Sequence, residues 1–156
     1  MKLSMIVAEK CCKGPVPAID YRATLREAAR MMQGKACAAL MVMDREHFDP
    51  LQYKGLFTLV QFIDALAKGA DPDTAPVGDY MMTKLIVATG QDDIDYLKNV
   101  MVRHKITHLP VIMEHKVAAI VSMADILEVE NIEKDIKIHW LNDFTGSPGG
   151  EWNKVF

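Results

Sequence analysis

The chain has 156 residues, half of them apolar and a quarter charged, which is the composition of an ordinary soluble globular protein. Its net charge of −3 speaks against nucleic-acid binding, and no apolar run is long enough to span a membrane. The three cysteines, Cys11, Cys12 and Cys37, lack metal-ligand spacing. We therefore expect reduced thiols in a cytoplasmic protein, with plain packing rather than a redox role for Cys11 and Cys12.

Residues 5–69 form the first predicted unit. A short lead-in segment precedes an apolar strand near residues 16–19 and an amphipathic helix, in which Thr24 and Glu27 make a capping box. A buried strand follows at residues 38–43, then a long turn, a strand at residues 53–57 and a helix ended by Gly69. Residues 70–76 are a Pro- and Asp-rich linker.

Residues 77–138 form the second predicted unit. A strand at residues 85–88 precedes a helix capped by Asp92, and two further strands at residues 108–113 and 117–121 lead into a helix that begins at Ser122 and runs to about Ile138. The tail, residues 139–156, contains three glycines and is predicted to be irregular. Its large aromatic residues either cover the subunit's own surface or dock on a partner: Trp140, Phe144, Trp152 and Phe156.

The two units are copies of one pattern. Leu25 and Ile94 lie 69 positions apart, and so do Leu40 and Leu109. Gly55 and Ala119 lie 64 positions apart, because the turn between the strands is longer in the first copy. The chain therefore contains two β-α-β-β-α repeats.

A candidate binding site lies where the last strand of the second repeat enters its helix. The Ser122 hydroxyl and the free amides of the helix start suit phosphate oxygens, whereas the Asp125 carboxylate suits ribose hydroxyls. Helix capping alone also explains Ser122 fully and Asp125 in part. No catalytic motif is present, and His104 and His108 are separated by the expected helix end, so neither an enzyme nor a metal site is predicted.

These residues resemble the second half of a CBS (cystathionine-β-synthase-type) domain, which has an x-x-LPV strand and a G-h-h-T/S-x-x-D turn into a helix. Here the motifs read THLPV at residues 107–111 and AIVSMAD at residues 119–125, with Ala119 where the family usually has Gly. Two such copies, over about residues 5–138, resemble the tandem pair known as a Bateman module, of the stand-alone CBS-pair family. The resemblance implies an α/β (α+β) fold, in which two pseudo-twofold-related repeats pack sheet to sheet and leave two clefts. The packing makes physical sense, because neither copy is large enough to bury both faces of its sheet alone.

The resemblance also implies where a ligand binds. Its ribose would meet Asp125, its phosphate would approach Ser122, and the other repeat would supply the remaining contacts. The expected ligand-binding residues are Ser122, Met123, Asp125, Lys13, Val16, Cys37, Ala38 and Ala39. A second cleft is expected to be weaker, because uncharged Gln61 replaces the ribose-binding Asp. Its residues would be Thr58, Gln61, Thr83, Lys84, Ile106, Thr107 and His108.

By resemblance, the protein is a regulatory module that senses an adenine nucleotide (AMP, ADP, ATP or an S-adenosylmethionine-like molecule). It has no tightly bound cofactor, forms a homodimer to which the long last helix contributes, and signals to a separate effector protein. The alternative is a structural or protein-interaction module without a nucleotide, whose clefts are filled by side chains. The two are distinguished by whether Asp125 faces an open pocket.

Overall fold

Two three-stranded sheets of the same topology organise the fold. The structure is a computed structural model that describes residues 3–11, 14–47, 49 and 52–131. The first sheet contains β1 (Ala18–Asp20), β2 (Ala39–Met43) and β3 (Gly55–Thr58), and the second contains β4 (Ala88–Thr89), β5 (His108–Met113) and β6 (Lys116–Ser122). In each sheet the first strand runs parallel to the middle strand and the third runs antiparallel to it. The predicted α/β fold of two repeats is confirmed.

The helices of the described residues are α1 (Leu3–Cys11), α2 (Leu25–Lys35), α3 (Leu59–Ala67), α4 (Ile94–His104) and α5 (Met123–Asn131), with a 3-10 turn at Val77–Asp79. The predicted capping box of α2 is present. The extension of α5 to Ile138 and the tail lie outside the described residues.

Two predicted helix ends and two predicted strands need correction. Asp93, not Asp92, caps α4 by accepting from the amide of Asp95, because the Asp92 carboxylate instead accepts from the amide of Thr89. The C-cap of α3 is Lys68, and Gly69 follows it with a φ of +82°. The first strand begins at Ala18 rather than near residue 16, and the strand predicted over residues 85–88 is only Ala88–Thr89.

The two sheets pack face to face through one apolar cluster. Along β2, Leu40 and Val42 face the helices of the first repeat, whereas Ala39 and Met41 face the other sheet. Because successive side chains of a strand point to opposite faces, β2 is apolar throughout and buried on both sides. We call the set between the sheets the central cluster, and its buried members are Ala39, Met41, Leu56 and Ile120. The predicted sheet-to-sheet packing is confirmed.

The lead-in segment of the first repeat is a helix, α1, and it packs on the second repeat. Leu3, Ile6 and Val7 recur at helical spacing and are buried in the core of the second repeat. The amides of Leu3 and Ser4 donate to the carbonyl oxygens of Asp92 and Gly90, at 3.1 and 3.0 Å. The prediction of a short lead-in segment in the first unit therefore missed both its helical structure and its packing on the second repeat.

The second repeat returns the same contact to the first. The amides of Val77 and Gly78 donate to the carbonyl oxygens of Ala23 and Tyr21, both at 2.8 Å, and Val77 is buried in the first core. Ala23 and Asp92, which accept these bonds, lie 69 positions apart, and so do Tyr21 and Gly90. This is the offset that relates the two repeats. The repeats thus exchange their lead-in segments, which ties them into one structure.

Candidate functional site

The Ser122–Asp125 junction is a reciprocal capping box at the start of α5. The Ser122 hydroxyl accepts from the Asp125 amide at 3.1 Å, and Asp125 Oδ2 accepts from the Ser122 amide and hydroxyl, both at 2.7 Å. The amide of Met123 donates to the carbonyl oxygen of Thr107 at 3.1 Å. These bonds hold the carboxylate in one orientation.

Lys10, from the last turn of α1, completes the junction from the other repeat. Its Nζ lies 2.7 Å from Asp125 Oδ2 and donates to the carbonyl oxygen of Ile120 at 2.7 Å. Both charged side chains are partly exposed, Lys10 by 31% and Asp125 by 23%. Burial alone would raise the pKa of Asp125, but hydrogen bonds from Lys10 and Ser122 outweigh it and hold that pKa below its usual value. Lys10 was not among the residues predicted from the sequence, and the predicted Lys13 lies outside the described residues.

His108 lies at this same junction. It pairs with Ser122 across β5 and β6, and its Nδ1 lies 2.9 Å from the Thr107 hydroxyl. Burial, and then the charge of Lys10, lowers the pKa of His108, while Asp125 opposes the shift. These surroundings disfavour the protonated form of His108. Thr107 and His108 were predicted to lie at the junction of the other repeat, but in the structure they contact the junction of their own repeat.

The junction of the first repeat, Thr58–Gln61, is also a capping box, but neither of its two side chains is charged. The Thr58 amide donates to Gln61 Oε1 at 3.1 Å, the Thr58 hydroxyl contacts the same oxygen, and the Val60 amide donates to that hydroxyl at 3.2 Å. Ala39 pairs with Thr58, again within its own repeat rather than with Ser122. The cap thus uses the Gln61 oxygen in the same way as it uses Asp125 Oδ2 in the second repeat.

The other residues predicted for the second cleft do not join this junction through any described contact. Thr83 and Lys84 are exposed. Ile106 packs against the core of the second repeat. Met82, one residue before Thr83, exchanges two backbone hydrogen bonds with Leu56 of β3 and so adds a short bridge to the first sheet.

Two of the cavities that adjoin the described residues bear on the predicted site, and neither of these two contains Ser122 or Asp125. The larger, about 810 Å³, lies between the repeats at the turn end of β6, with mostly apolar walls and the cations Arg45 and Lys116. Of the predicted ligand-binding residues it includes Val16. The smaller, about 460 Å³, lies within the first repeat and includes Cys37 and Ala38. The described members of the predicted set are therefore dispersed. Ser122, Met123 and Asp125 lie at the junction, Val16 lines the larger cavity, Cys37 and Ala38 line the smaller one, and Ala39 lies in the central cluster.

One acidic cluster of the described residues has the spacing of a metal site: Asp44, Glu46 and His47. Arg22 already lies among its carboxylates, 3.0 Å from Asp44 and 3.1 Å from Glu46. A guanidinium in that position supplies the positive charge that a cation would bring. We therefore assign the cluster to the Arg22 ion-pair network.

Asp20 belongs to the same network. Its Oδ1 accepts from the amide and Nε of Arg22 at 2.9 and 3.1 Å, and its Oδ2 accepts from the amide of Arg45 at 2.8 Å. Burial alone would raise the pKa of Asp20, but these hydrogen bonds lower it from 3.8 to about 2.

The described residues form no helix that is long and apolar enough to span a membrane.

Comparison with known proteins places the chain in a family. The CBS domain family model matches residues 77–131. Hypoxic response protein 1 of Mycobacterium tuberculosis is 31% identical over 126 residues, which cover 78% of this chain and 83% of that protein.

Solved structures share the fold. A putative signal-transduction protein with CBS domains from Burkholderia ambifaria superimposes with a TM-score of 0.79 at 18% identity, covering 89% of this chain and 100% of that one. A CBS domain protein from Pyrobaculum aerophilum, complexed with AMP, superimposes with a TM-score of 0.66 at 20% identity, covering 80% of this chain and 89% of that one. With the sequence match, the two repeats and the shared fold all in agreement, the chain belongs to the family of CBS-domain proteins and carries a pair of CBS repeats.

Proposed function

We propose that the protein is a regulatory module that binds an adenine nucleotide at the Ser122–Asp125 junction and signals to a separate partner protein. The observation that carries the proposal is the Asp125 carboxylate, charged, partly exposed and held in place by Ser122. A fixed carboxylate is a strong acceptor for the paired hydroxyls of a ribose. The AMP complex of the Pyrobaculum aerophilum protein supports this ligand class.

The asymmetry of the two junctions supports one main site rather than two. Both junctions are capping boxes, but only the second has a carboxylate, whereas Gln61 is neutral and Thr58 is buried. A neutral amide oxygen accepts hydroxyl hydrogen bonds less strongly than a carboxylate. The first junction is therefore the weaker or empty one in this proposal.

A structural or protein-interaction module is the second candidate, and one observation favours it. Asp125 lines neither cavity, and its Oδ2 is already bonded to Lys10 and Ser122. In such a module the junction would serve only to cap α5 and to hold α1 in place.

The exposed face of α3 supports the proposed homodimer. Four large apolar side chains on this helix are between 43% and 66% exposed: Leu59, Val60, Ile63 and Leu66. Such a face on one helix is typical of an association surface. Sedimentation equilibrium of the wild type should give twice the chain mass, and Ile63→Asp should give the mass of one chain. A wild-type monomer would contradict the dimer without affecting the ligand proposal.

Thermal unfolding with AMP, ADP, ATP and S-adenosylmethionine tests the ligand proposal. A ligand at about 100 times its dissociation constant stabilises by about 2.7 kcal/mol, which corresponds to about 5–10 °C for a chain of this size. The shift should disappear in Asp125→Asn, which keeps the shape of the side chain. It should persist in Asp95→Asn, which removes an exposed carboxylate from the first turn of α4. If no ligand shifts the wild type, the interaction module is the better account.

A further inference from the structure

The hydrogen bonds on Asp125 are unevenly divided between its two oxygens. The Ser122 amide, the Ser122 hydroxyl and Lys10 Nζ all lie 2.7 Å from Oδ2, and the described residues place no hydrogen bond on Oδ1. A carboxylate oxygen offers about two lone-pair positions. Oδ2 is therefore saturated, while Oδ1 retains its capacity to accept.

A ribose presents two neighbouring hydroxyls, so its recognition by one carboxylate uses both oxygens. One hydroxyl has Oδ1 available, but the second needs a donor to leave Oδ2. The Ser122 donors are fixed by the capping box at the end of β6. Lys10 is the donor that can move, because its ammonium is carried on a flexible four-carbon chain.

An ammonium that leaves Asp125 Oδ2 would remain at the junction. The backbone of α1 is anchored in the second core by Leu3, Ile6 and Val7, and Lys10 Nζ keeps its bond to the carbonyl oxygen of Ile120. Ile120 lies two residues before Ser122. Ser122 is the residue that a ligand's phosphate would approach. Among the described residues at this junction, Lys10 is the permanent cation, and the lowered pKa of His108 disfavours a second one.

The first junction lacks this ion pair among the described residues, because neutral Gln61 stands where the second repeat has Asp125.

We propose that Lys10 selects phosphorylated ligands: it leaves Asp125 when the ribose binds and pairs with the ligand's phosphate. This inference rests on the proposed nucleotide site. A phosphate replaces the carboxylate as the partner of Lys10, so a nucleoside phosphate loses little by breaking the ion pair. A neutral nucleoside breaks the same ion pair and offers the ammonium no anion in return. The site should thus distinguish AMP from adenosine by charge as well as by shape.

Isothermal titration calorimetry with AMP and adenosine tests this selection. We expect the wild type to bind AMP at least about tenfold more tightly than adenosine, as one charge-assisted contact implies. In Lys10→Met the two affinities should fall within about threefold of each other, with adenosine binding unchanged or tighter because Asp125 Oδ2 is relieved of a donor. Lys10→Arg should keep the preference for AMP. Lys116→Met is the matched control, because Lys116 lies at the other end of β6 beside the larger cavity.

The outcomes separate this inference from the proposed function. If AMP binds the wild type and Lys10→Met keeps the full preference for AMP, the role of Lys10 is wrong while the nucleotide site stands. Equal losses for AMP and adenosine in folded Lys10→Met would also overturn it, since they indicate a structural role only. Loss of the preference in Lys116→Met would place the phosphate in the cavity instead and overturn it. Absence of AMP binding to the wild type would overturn the proposed function itself.

Discussion

Replacing Ile6 by Ala tests whether α1 is part of the second repeat's core. Ile6 is 2% exposed and packs in that core, whereas its neighbour Met5 is 64% exposed. A nine-residue helix has little stability by itself, so α1 depends on this burial. Truncating a buried Ile to Ala removes three carbon atoms and leaves a cavity, at a cost of about 2–5 kcal/mol. We expect a loss of about 3 kcal/mol for Ile6→Ala, because a terminal helix can partly adjust to the cavity.

Urea unfolding, followed by circular dichroism, measures this loss directly. For a chain of this length, about 3 kcal/mol also lowers the melting temperature by about 6–12 °C. Met5→Ala, on the exposed side of the same helix, should change the free energy of unfolding by less than about 0.5 kcal/mol. If Ile6→Ala is as mild as Met5→Ala, α1 does not pack on the second core and the exchange of lead-in segments is wrong.

Three further changes test other parts of the fold. A Cβ at Gly55 would lie 2.4 Å from the Met82 carbonyl oxygen, so Gly55→Ala should cost about 1–3 kcal/mol in urea unfolding, whereas Gly34→Ala, with open space around it, should cost nothing. Thr24→Ala should cost about 1 kcal/mol by removing the cap of α2, and Thr24→Ser should restore most of it. Because its hydrogen bonds lower the pKa of Asp20 from 3.8 to about 2, its carboxylate adds stability above about pH 4 that is lost as the pH falls toward 2. Asp20→Asn should flatten the decline in unfolding free energy across that window, and an unchanged slope would contradict this account.

Local patterns predicted most elements of the two repeats. The capping box of α2 follows from the short-range spacing of Thr24 and Glu27 and is confirmed. The errors at helix ends have a local cause too. Asp92 and Asp93 are adjacent and chemically equivalent as caps, so the pattern alone does not decide which of them accepts from the helix amides.

Local sequence patterns could not predict the exchange of lead-in segments. The apolar spacing of Leu3, Ile6 and Val7 was a signal for a helix, and reading it would have predicted α1. It would not have said on which repeat the helix packs, because both repeats offer a similar apolar face. That choice is a tertiary property, set by how the two sheets meet.

The candidate site shows the same division. Asp125 could be predicted from the sequence because it lies three residues after Ser122, in the first turn of the helix that Ser122 caps. Lys10 is 115 positions away and reaches the site only because α1 packs on the second repeat. The predicted Lys13 lies only three residues after Lys10, but the sequence does not show where α1 packs.

Under the proposals made above, Lys10 joins the ligand site to the segment that ties the two repeats together. Leu3, Ile6 and Val7 keep most of α1 docked whether or not Lys10 is paired with Asp125. A ligand that draws Lys10 away from Asp125 therefore acts on the last turn of α1 rather than on the whole helix. That turn lies on the path from α1 to β1, whose neighbour β2 contributes to the central cluster. Under the proposed function, a change of partner at Lys10 would therefore act on the segment that leads to β1, whose Ala18 packs against the central cluster.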